Sequence, residues 1–260
     1  MSESWRRVNG HSRNNLEMVP MLAGLVNMGG VRVNGTEVYN ILRDKGVTLL
    51  HHANTVTTSC TFLRIGGLAS RGYVEDHDLP QTPQYSDDAD KRLGIWYDVF
   101  LDGVDIHERA RVPNDYGPVL FMLPTTILID LPPGTDVLVT RTNPVHWGDG
   151  GTPGDRYFMS PQQLREEYTY GDFGKHVILR IKGGFLQFPG SPLGIQLDDP
   201  GRKLPNGTSA YTRAARLLKS SAEEGGLLVN ISKRQCAFGC RCQSGDKRSY
   251  DRQTDIDTRF

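Results

Sequence analysis

The fold is decided by the stretch Leu49-Leu50-His51-His52-Ala53-Asn54-Thr55, which is followed by an apolar segment over residues 56–63. Residues 64–71 then read Arg-Ile-Gly-Gly-Leu-Ala-Ser-Arg. This order predicts a short buried strand, an Asn54 cap, one apolar helix, a glycine stop and a second short strand. A histidine at the end of a strand, beside a helix N-terminus, can hold a sugar hydroxyl while the helix end faces an anion.

The composition of the 260-residue chain is that of an ordinary soluble protein, with 37% hydrophobic and 23% charged residues. No apolar run approaches the roughly 18 residues that a membrane span needs. The first residues are polar and have no apolar segment behind them, so we expect a cytoplasmic protein without a secretory leader. The formal net charge is +0, which argues against broad non-specific binding to duplex DNA.

The four cysteines do not form a disulfide framework of the kind found in small secreted domains. Three of them follow the spacing Cys236-x3-Cys240-x-Cys242, which could bind zinc if a fourth ligand came from elsewhere. Complete structural zinc sites usually show two paired ligand sets, and only one is visible here. We therefore predict free thiols and no metal site.

Three regions are predicted along the chain. Residues 1–46 form an N-terminal helical extension with helices at 15–27 and 37–45, residues 47–232 form the catalytic body, and residues 233–260 form a basic, polar tail. Within the body, helices are predicted over residues 55–65, 161–168 and 209–224. Loops are predicted over residues 75–92, 142–160 and 189–208.

Many short strands with few helices between them predict an α+β fold with a mixed, mostly antiparallel central sheet and short flanking helices. No Gly-x-Gly-x-x-Gly opens a helix after a strand, and no P-loop is present. The last pair of strands before the loop at 189 is expected to be a hairpin. The predicted strands cover residues 47–51, 95–101, 118–123, 126–130, 136–141, 176–181, 184–188 and 227–231.

The segment from His52 to Leu68 resembles the pattern His-x-Thr, helix, Gly-Leu of ADP-ribosyltransferases, including the DarT-like group that modifies nucleic acids. The resemblance covers about residues 47–182, and a second, looser likeness lies at residues 113–121. His52 stands where the family has the histidine that binds the ribose of NAD, and Asn54 stands in place of threonine. The resemblance implies a sheet of the ADP-ribosyltransferase type and NAD as the co-substrate.

Two further NAD contacts are implied by the resemblance. Arg71 would clamp the pyrophosphate, because a planar guanidinium suits phosphate oxygens. Tyr97, or its neighbour Trp96, would stack on the nicotinamide ring. The structural alternatives are a solvent-exposed arginine and aromatic packing in the core.

An acidic cluster near residue 170 provides the catalytic candidates. ADP-ribosyl transfer passes through an oxocarbenium-like state, which a carboxylate near the ribose stabilises and which the same carboxylate can assist by activating the acceptor. The family carries its essential glutamate at the start of a late strand. Glu167 is the first candidate, Asp172 the second and Glu166 the third; the alternative is a helix end with surface acids.

The acceptor is predicted to be a single-stranded nucleic acid. The loop at 142–160 carries aromatic and basic residues suited to positioning a base, and Arg213, Arg216 and Lys219 follow one edge of a helix. We therefore predict an NAD-dependent ADP-ribosyltransferase of the toxin or defence type that modifies a DNA or RNA base, with a neutralising antitoxin protein as a partner.

Two other functions compete with this interpretation. A metal-dependent nuclease would use His51, His52, His146 and Asp149 together with the cysteines. A non-catalytic nucleic-acid-binding module would use the basic tail, and it would bind without turnover and with a steep dependence on salt.

Overall fold

The computed structural model describes residues 34–107, 117–172, 174–190, 192–236 and 238–240. The helix predicted at 15–27, residues 113–116 of the looser likeness, and Cys242 lie outside these ranges. The division of the chain into an extension, a body and a tail stays a prediction.

The body is built on one seven-stranded sheet with β1 at its centre. All neighbouring strands are antiparallel except β8 and β9, which are parallel, so the predicted α+β class with a mixed, mostly antiparallel sheet is confirmed. The order is β5-β6-β3-β1-β4-β8-β9, formed by β1 (Leu49–Asn54), β3 (Val99–Asp102), β4 (Val119–Pro124), β5 (Asp136–Val139), β6 (His176–Arg180), β8 (Leu193–Asp199) and β9 (Val229–Gln235). A separate two-stranded sheet pairs β2 (Gly67–Ala69) with β7 (Phe185–Gln187).

One face of the sheet carries the main hydrophobic core. Strand residues such as Leu50, Phe121 and Ile195 meet helix residues such as Phe62 and Leu218 there, all of them buried. Short 3-10 helices occupy Thr125–Leu128 and Pro144–His146. The α-helices are α1 (Gly35–Asp44), α2 (Val56–Ile65), α3 (Arg71–Asp76), α4 (Asp87–Leu93), α5 (Pro153–Arg156), α6 (Pro161–Glu167) and α7 (Ala210–Glu224).

The strand predicted at 126–130 is wrong, since this segment begins with a 3-10 helix. Thr125 donates its backbone N–H to the Thr48 carbonyl and its hydroxyl to the Val47 carbonyl, both at 3.1 Å. These two bonds tie the chain back to the start of β1, so it turns directly after Pro124 instead of continuing as a strand.

All three predicted loops contain regular elements. The segment 142–160 holds the 3-10 helix at Pro144–His146 and α5. The segment 189–208 holds β8, whose alternating Leu193, Ile195 and Leu197 are buried. The segment 75–92 holds most of α4, which has three aspartates in its first turn, where negative charge favours a helix. The strand predicted at 95–101 begins only at Val99, and the strand predicted at 227–231 extends to Gln235.

The hairpin predicted for residues 176–188 is also wrong. β6 pairs with β3 and β5 in the main sheet, whereas β7 pairs with β2. The turn between them contains Gly183 and Gly184 at φ values of 85° and 70°, which redirect the chain out of the main sheet. The Ser70 backbone N–H then holds the Gly184 carbonyl at 2.7 Å.

None of the helices in the described ranges has the length and apolar character needed to cross a membrane.

Candidate active site

The junction of β1 and α2 forms as a local unit. Thr55 in an extended conformation is the N-cap of α2, because its side chain accepts a hydrogen bond from the Thr58 backbone N–H. The predicted cap was Asn54, one residue earlier; its side-chain oxygen instead accepts from the Thr55 N–H at 2.9 Å. Gly66, at a φ of 78°, ends the helix.

His52 has one defined tautomer in this setting. Its Nδ1 lies 2.8 Å from the Phe100 carbonyl oxygen, which can only accept, so Nδ1 carries the proton. Its Nε2 is then an acceptor, 3.3 Å from the side-chain nitrogen of Asn54. Burial between Phe62 and Phe121 lowers the pKa of His52, which keeps the imidazole neutral. His52 and Asn54 therefore lie together, and the one lone pair of His52 accepts from the Asn54 amide, which a hydroxyl donor of a ligand would have to displace.

Hydroxyl groups surround the N-terminus of α2. Thr55 Oγ1 lies 2.8 Å from Thr82 Oγ1, and the Thr82 backbone N–H donates to Thr58 Oγ1 at 3.0 Å. Gly117 approaches from the other side, where a Cβ would lie 2.4 Å from the Asn54 carbonyl oxygen. The segments at Thr82 and Gly117 thus place polar groups close to the end of β1.

Arg71 begins α3 and is held firmly by its neighbours. Its guanidinium donates to the Thr82 carbonyl at 2.9 Å and to an Asp87 carboxylate oxygen at 2.7 Å. It also lies 5.6 Å from the Trp96 ring centroid, and its side chain is only 16% exposed. Arg71 is therefore near the α2 N-terminus through Thr82, but a bound phosphate would have to replace Asp87.

The two aromatic candidates for nicotinamide stacking differ in exposure. Trp96 is buried and donates its indole N–H to Glu75 at 2.8 Å. Tyr97 is 47% exposed, its ring lies against Gly72, and its hydroxyl donates to Asp76 at 2.9 Å. Tyr97 is thus the one of the pair with ring surface open to solvent.

The three acidic candidates lie on or just after α6 and are engaged with nearby cations or amides. Glu167 accepts from Arg141 at 2.7 Å, and Asp172 pairs with Lys175 at 2.6 Å. Glu166 accepts from the Gln162 amide at 2.9 Å. In the described ranges, no hydrogen bond or ion pair joins any of these carboxylates to His52. Their catalytic role stays a prediction.

A different carboxylate, which sequence reasoning missed, lies beside the histidines. Asp102 of β3 is paired with His51 of β1 and with His176 of β6 in the sheet register, so the three residues form one row across the sheet. The Asp102 carboxylate lies 2.6 Å from His176 Nδ1. Burial disfavours protonation of His176, but attraction and hydrogen bonding from Asp102 outweigh it and raise its pKa. This row lies on the sheet face opposite to His52, because side chains alternate along β1.

A second buried network joins β8, β9 and the segment after β3. Arg234 donates to Asp198 at 2.6 Å and also pairs with Asp105. His107 Nδ1 lies 2.6 Å from the other Asp198 oxygen, and this hydrogen bond raises the pKa of His107. The segment that forms β8 was predicted to be a loop, and nothing local in the sequence connects Asp105 with Arg234.

The side chains proposed for a nuclease are not brought together. His146 and Asp149 are exposed, with Asp149 lying 3.8 Å from Arg92, and Cys236 and Cys240 are buried. Across residues 34–107, 117–172, 174–190, 192–236 and 238–240, no three or more His, Cys, Asp or Glu side chains are arranged to hold a metal ion.

No family model matches the sequence, and a comparison with curated proteins finds no match. Among solved structures the chain is similar to Thermus sp. 2.9 DarT in complex with ADP-ribosylated single-stranded DNA. The sequence identity is 13% and the TM-score is 0.41, over 72% of this chain and 95% of that chain.

Proposed function

We propose that this protein is an NAD-dependent transferase that moves ADP-ribose from NAD to a base of a nucleic-acid strand. The observation that carries the proposal is the state of His52. Its Nδ1–H is held by the Phe100 carbonyl, its imidazole is neutral, and its Nε2 faces Asn54 just before α2. A fixed acceptor nitrogen beside a helix N-terminus suits a ribose hydroxyl next to a phosphate.

The proposed reaction divides the work between these groups. His52 Nε2 accepts a hydrogen bond from a hydroxyl of the nicotinamide ribose, which replaces the Asn54 amide on that nitrogen, and the Phe100 carbonyl holds the imidazole in place. The C1′–N bond to nicotinamide breaks, and nicotinamide leaves with the bonding electrons. A nucleophilic atom of the base forms the new bond to C1′ and loses its proton to a carboxylate or to water. A carboxylate near the ribose stabilises the developing positive charge.

Glu167 remains the first candidate for this carboxylate, with Asp172 and Glu166 behind it. Each would have to leave or share its present partner to reach the ribose. Parallel Glu→Gln and Asp→Asn variants of the three acids, compared by rate of nicotinamide release, separate them.

Arg71 and Tyr97 are proposed to hold the other parts of NAD. The closeness of Arg71 to Thr82, which bonds the α2 cap, supports a pyrophosphate contact at that helix end. The open ring surface of Tyr97 supports stacking with nicotinamide. A toxin or defence role, with a neutralising partner protein, follows if the modified base blocks replication or translation, and arrested growth on expression tests it.

The test is incubation with labelled NAD and single-stranded DNA or RNA, following nicotinamide release and label transfer. His52→Ala is expected to reduce both by about a hundredfold or more, because the ribose loses its positioning contact. His51→Ala is the matched control, since it removes the neighbouring imidazole on the opposite sheet face. Full nicotinamide release by His52→Ala would contradict the proposal. Cleavage of the strand without NAD, and its loss on adding EDTA, would favour the nuclease instead.

A further inference from the structure

A groove of about 310 Å³ lies between α7 and β9, at the edge of the sheet. We call it the α7–β9 groove, and its lining residues are Tyr211, Thr212, Ala215, Arg216, Lys219 and Ile231. Its floor is apolar where Ala215 and Ile231 pack on the core, and its rim is polar and cationic. This mixture of one aromatic ring, a small apolar floor and two cations suits a ligand that has both a flat ring and negative charge.

The two cations of the rim have no ion-pair partner among the described residues. Arg216 and Lys219 are exposed and stand three positions apart on α7, so their side chains project from the same helix face. Neither forms an ion pair with any residue in the part of the chain that the structure describes. An incoming phosphate would therefore gain their attraction without first displacing a protein carboxylate.

Tyr211 supplies the aromatic surface. It is partly buried against the core, which limits the motion of its ring, and it lines the groove. Lys233 Nζ lies over the ring, 4.9 Å from its centroid and 2.5 Å from an Asp199 carboxylate oxygen, so one face of the ring is covered and a base would stack on the other. A nucleobase can stack on such a ring whatever its sequence, because every base has a π face.

The position of the groove relates it to His52. His52 pairs with Phe121, Phe121 with Ile195, and Ile195 with Ile231, so His52 and Ile231 lie in one row on the same sheet face. Three strand spacings separate them, which amounts to about 14 Å. The groove is thus at the same level of the sheet as the candidate active site.

The helices that flank the candidate active site and the groove are in contact. The C-terminal ends of α2 and α7 are adjacent, since Arg64 pairs with Glu224 at 2.7 Å and Gly225 contacts the Leu63 carbonyl. The two helices also pack against each other.

We propose that the α7–β9 groove binds single-stranded nucleic acid, with a base on Tyr211 and phosphates on Arg216 and Lys219. The strand is single because a duplex hides its base faces from an aromatic side chain. The groove would hold nucleotides that flank the modified base, and to this extent the assignment rests on the proposed function.

The experiment measures binding of short fluorescent DNA and RNA oligonucleotides to the full chain, without NAD, over a range of salt concentrations. The double variant Arg216→Glu and Lys219→Glu is expected to weaken binding at least tenfold. It should also reduce the slope of log K against log salt by about 1.4, since each phosphate contact of a single strand contributes about 0.7. The control variant, Arg43→Glu with Lys45→Glu, makes the same change of charge at the end of α1 and should bind like the wild type.

The aromatic contact is tested separately. Tyr211→Leu should weaken binding by about five- to a hundredfold, and Tyr211→Phe should restore it, because a phenyl ring still stacks. Melting temperatures of all variants identify any that lose their fold. If Tyr211→Leu loses its fold, Tyr211→Phe keeps the test valid. Equal binding by the wild type and the Arg216/Lys219 variant, or an equal loss in the α1 control, would overturn the assignment.

The same proteins distinguish this assignment from the proposed function. If the wild type binds strands through the groove but releases no nicotinamide from NAD, the groove assignment stands and the transferase proposal fails. If nicotinamide release depends on His52 while the groove variants bind strands as tightly as the wild type, the transferase proposal stands and the groove assignment fails.

Discussion

At the scale of single residues, the one-residue step from His51 to His52 separates two chemical environments. His52 lies on the core face with its Nδ1 proton bound to a carbonyl, whereas His51 lies in the row of Asp102 and His176. Burial lowers the pKa of both His51 and His52. Only His176, which has a carboxylate at 2.6 Å, has a raised pKa in this group.

The Asp102–His176 pair predicts that the stability of the folded protein depends on pH. The pKa of His176 is raised on folding, so its contribution to stability is fully present below the pKa of about 6.5 of an unfolded histidine. The contribution is lost as the pH rises through the higher folded pKa. Asp102→Asn should lower the pKa of His176, measured by NMR titration of the imidazole, and should cost about 1–3 kcal/mol of unfolding free energy at pH 6.

His107 also has a raised pKa through Asp198 and serves as the internal control, because Asp102→Asn should leave its titration unchanged. An unchanged pKa of His176 in Asp102→Asn would show that the pair does not form in solution.

At the scale of elements, the close packing of α2 on α7 positions both the candidate active site and the α7–β9 groove. Gly225, directly after α7, permits this approach, since a Cβ there would lie 2.0 Å from the Leu63 carbonyl oxygen. The atom in the way belongs to the backbone, so it cannot rotate aside as a flexible side chain would. The helix ends are further joined by the pair of Arg64 and Glu224.

Gly225→Ala should therefore force the two helices apart and reduce the unfolding free energy by about 1–3 kcal/mol, the usual cost of overpacking. Gly150→Ala is the matched control, because no heavy atom lies within 4 Å of a Cβ built there. Thermal or denaturant unfolding measures both variants. Equal midpoints for Gly225→Ala and the wild type would show that the helices adjust without cost.

At the scale of the whole molecule, β9 has one neighbouring strand in the part of the sheet that the structure describes, and contacts beyond this pairing hold it in place. It pairs with β8 in the one parallel contact of the described sheet. Arg234 of β9 supplies the support by binding Asp198 of β8 and Asp105 of the segment after β3. Because both carboxylates are buried, this cation joins distant parts of the chain where water cannot replace it.

Arg234→Met keeps most of the apolar stem of the side chain but removes the guanidinium charge. The buried carboxylates of Asp105 and Asp198 then lose this cation. We expect a loss of about 3–5 kcal/mol in unfolding free energy at neutral pH. Lys182→Met, at an exposed turn, should change stability by less than about 0.5 kcal/mol. Denaturant unfolding compares them, and a loss no larger than that of the control would contradict the role given to Arg234.

Part of the fold and of the site could be predicted before the structure. The helices at α2, α6 and α7 begin at Ser or Thr caps, and α2 ends at the left-handed Gly66; these signals lie within a few residues of the helix ends. The predictions of a strand at 126–130 and of a hairpin at 176–188 were wrong because contacts with residues far away in the sequence determine the structure of these segments. Thr125 bonds back to Val47 and Thr48, and β7 pairs with β2.

The sequence by itself determined the local unit of β1 and α2, with His52 and Asn54 at its junction, because caps, glycine stops and apolar runs act between neighbours in the chain. Only the tertiary structure decided that Asp102 meets His176, that Arg234 joins Asp105 to Asp198, and that Ile231 shares a row with His52. These relations depend on strand order and register, which arise when remote segments bury their apolar faces together.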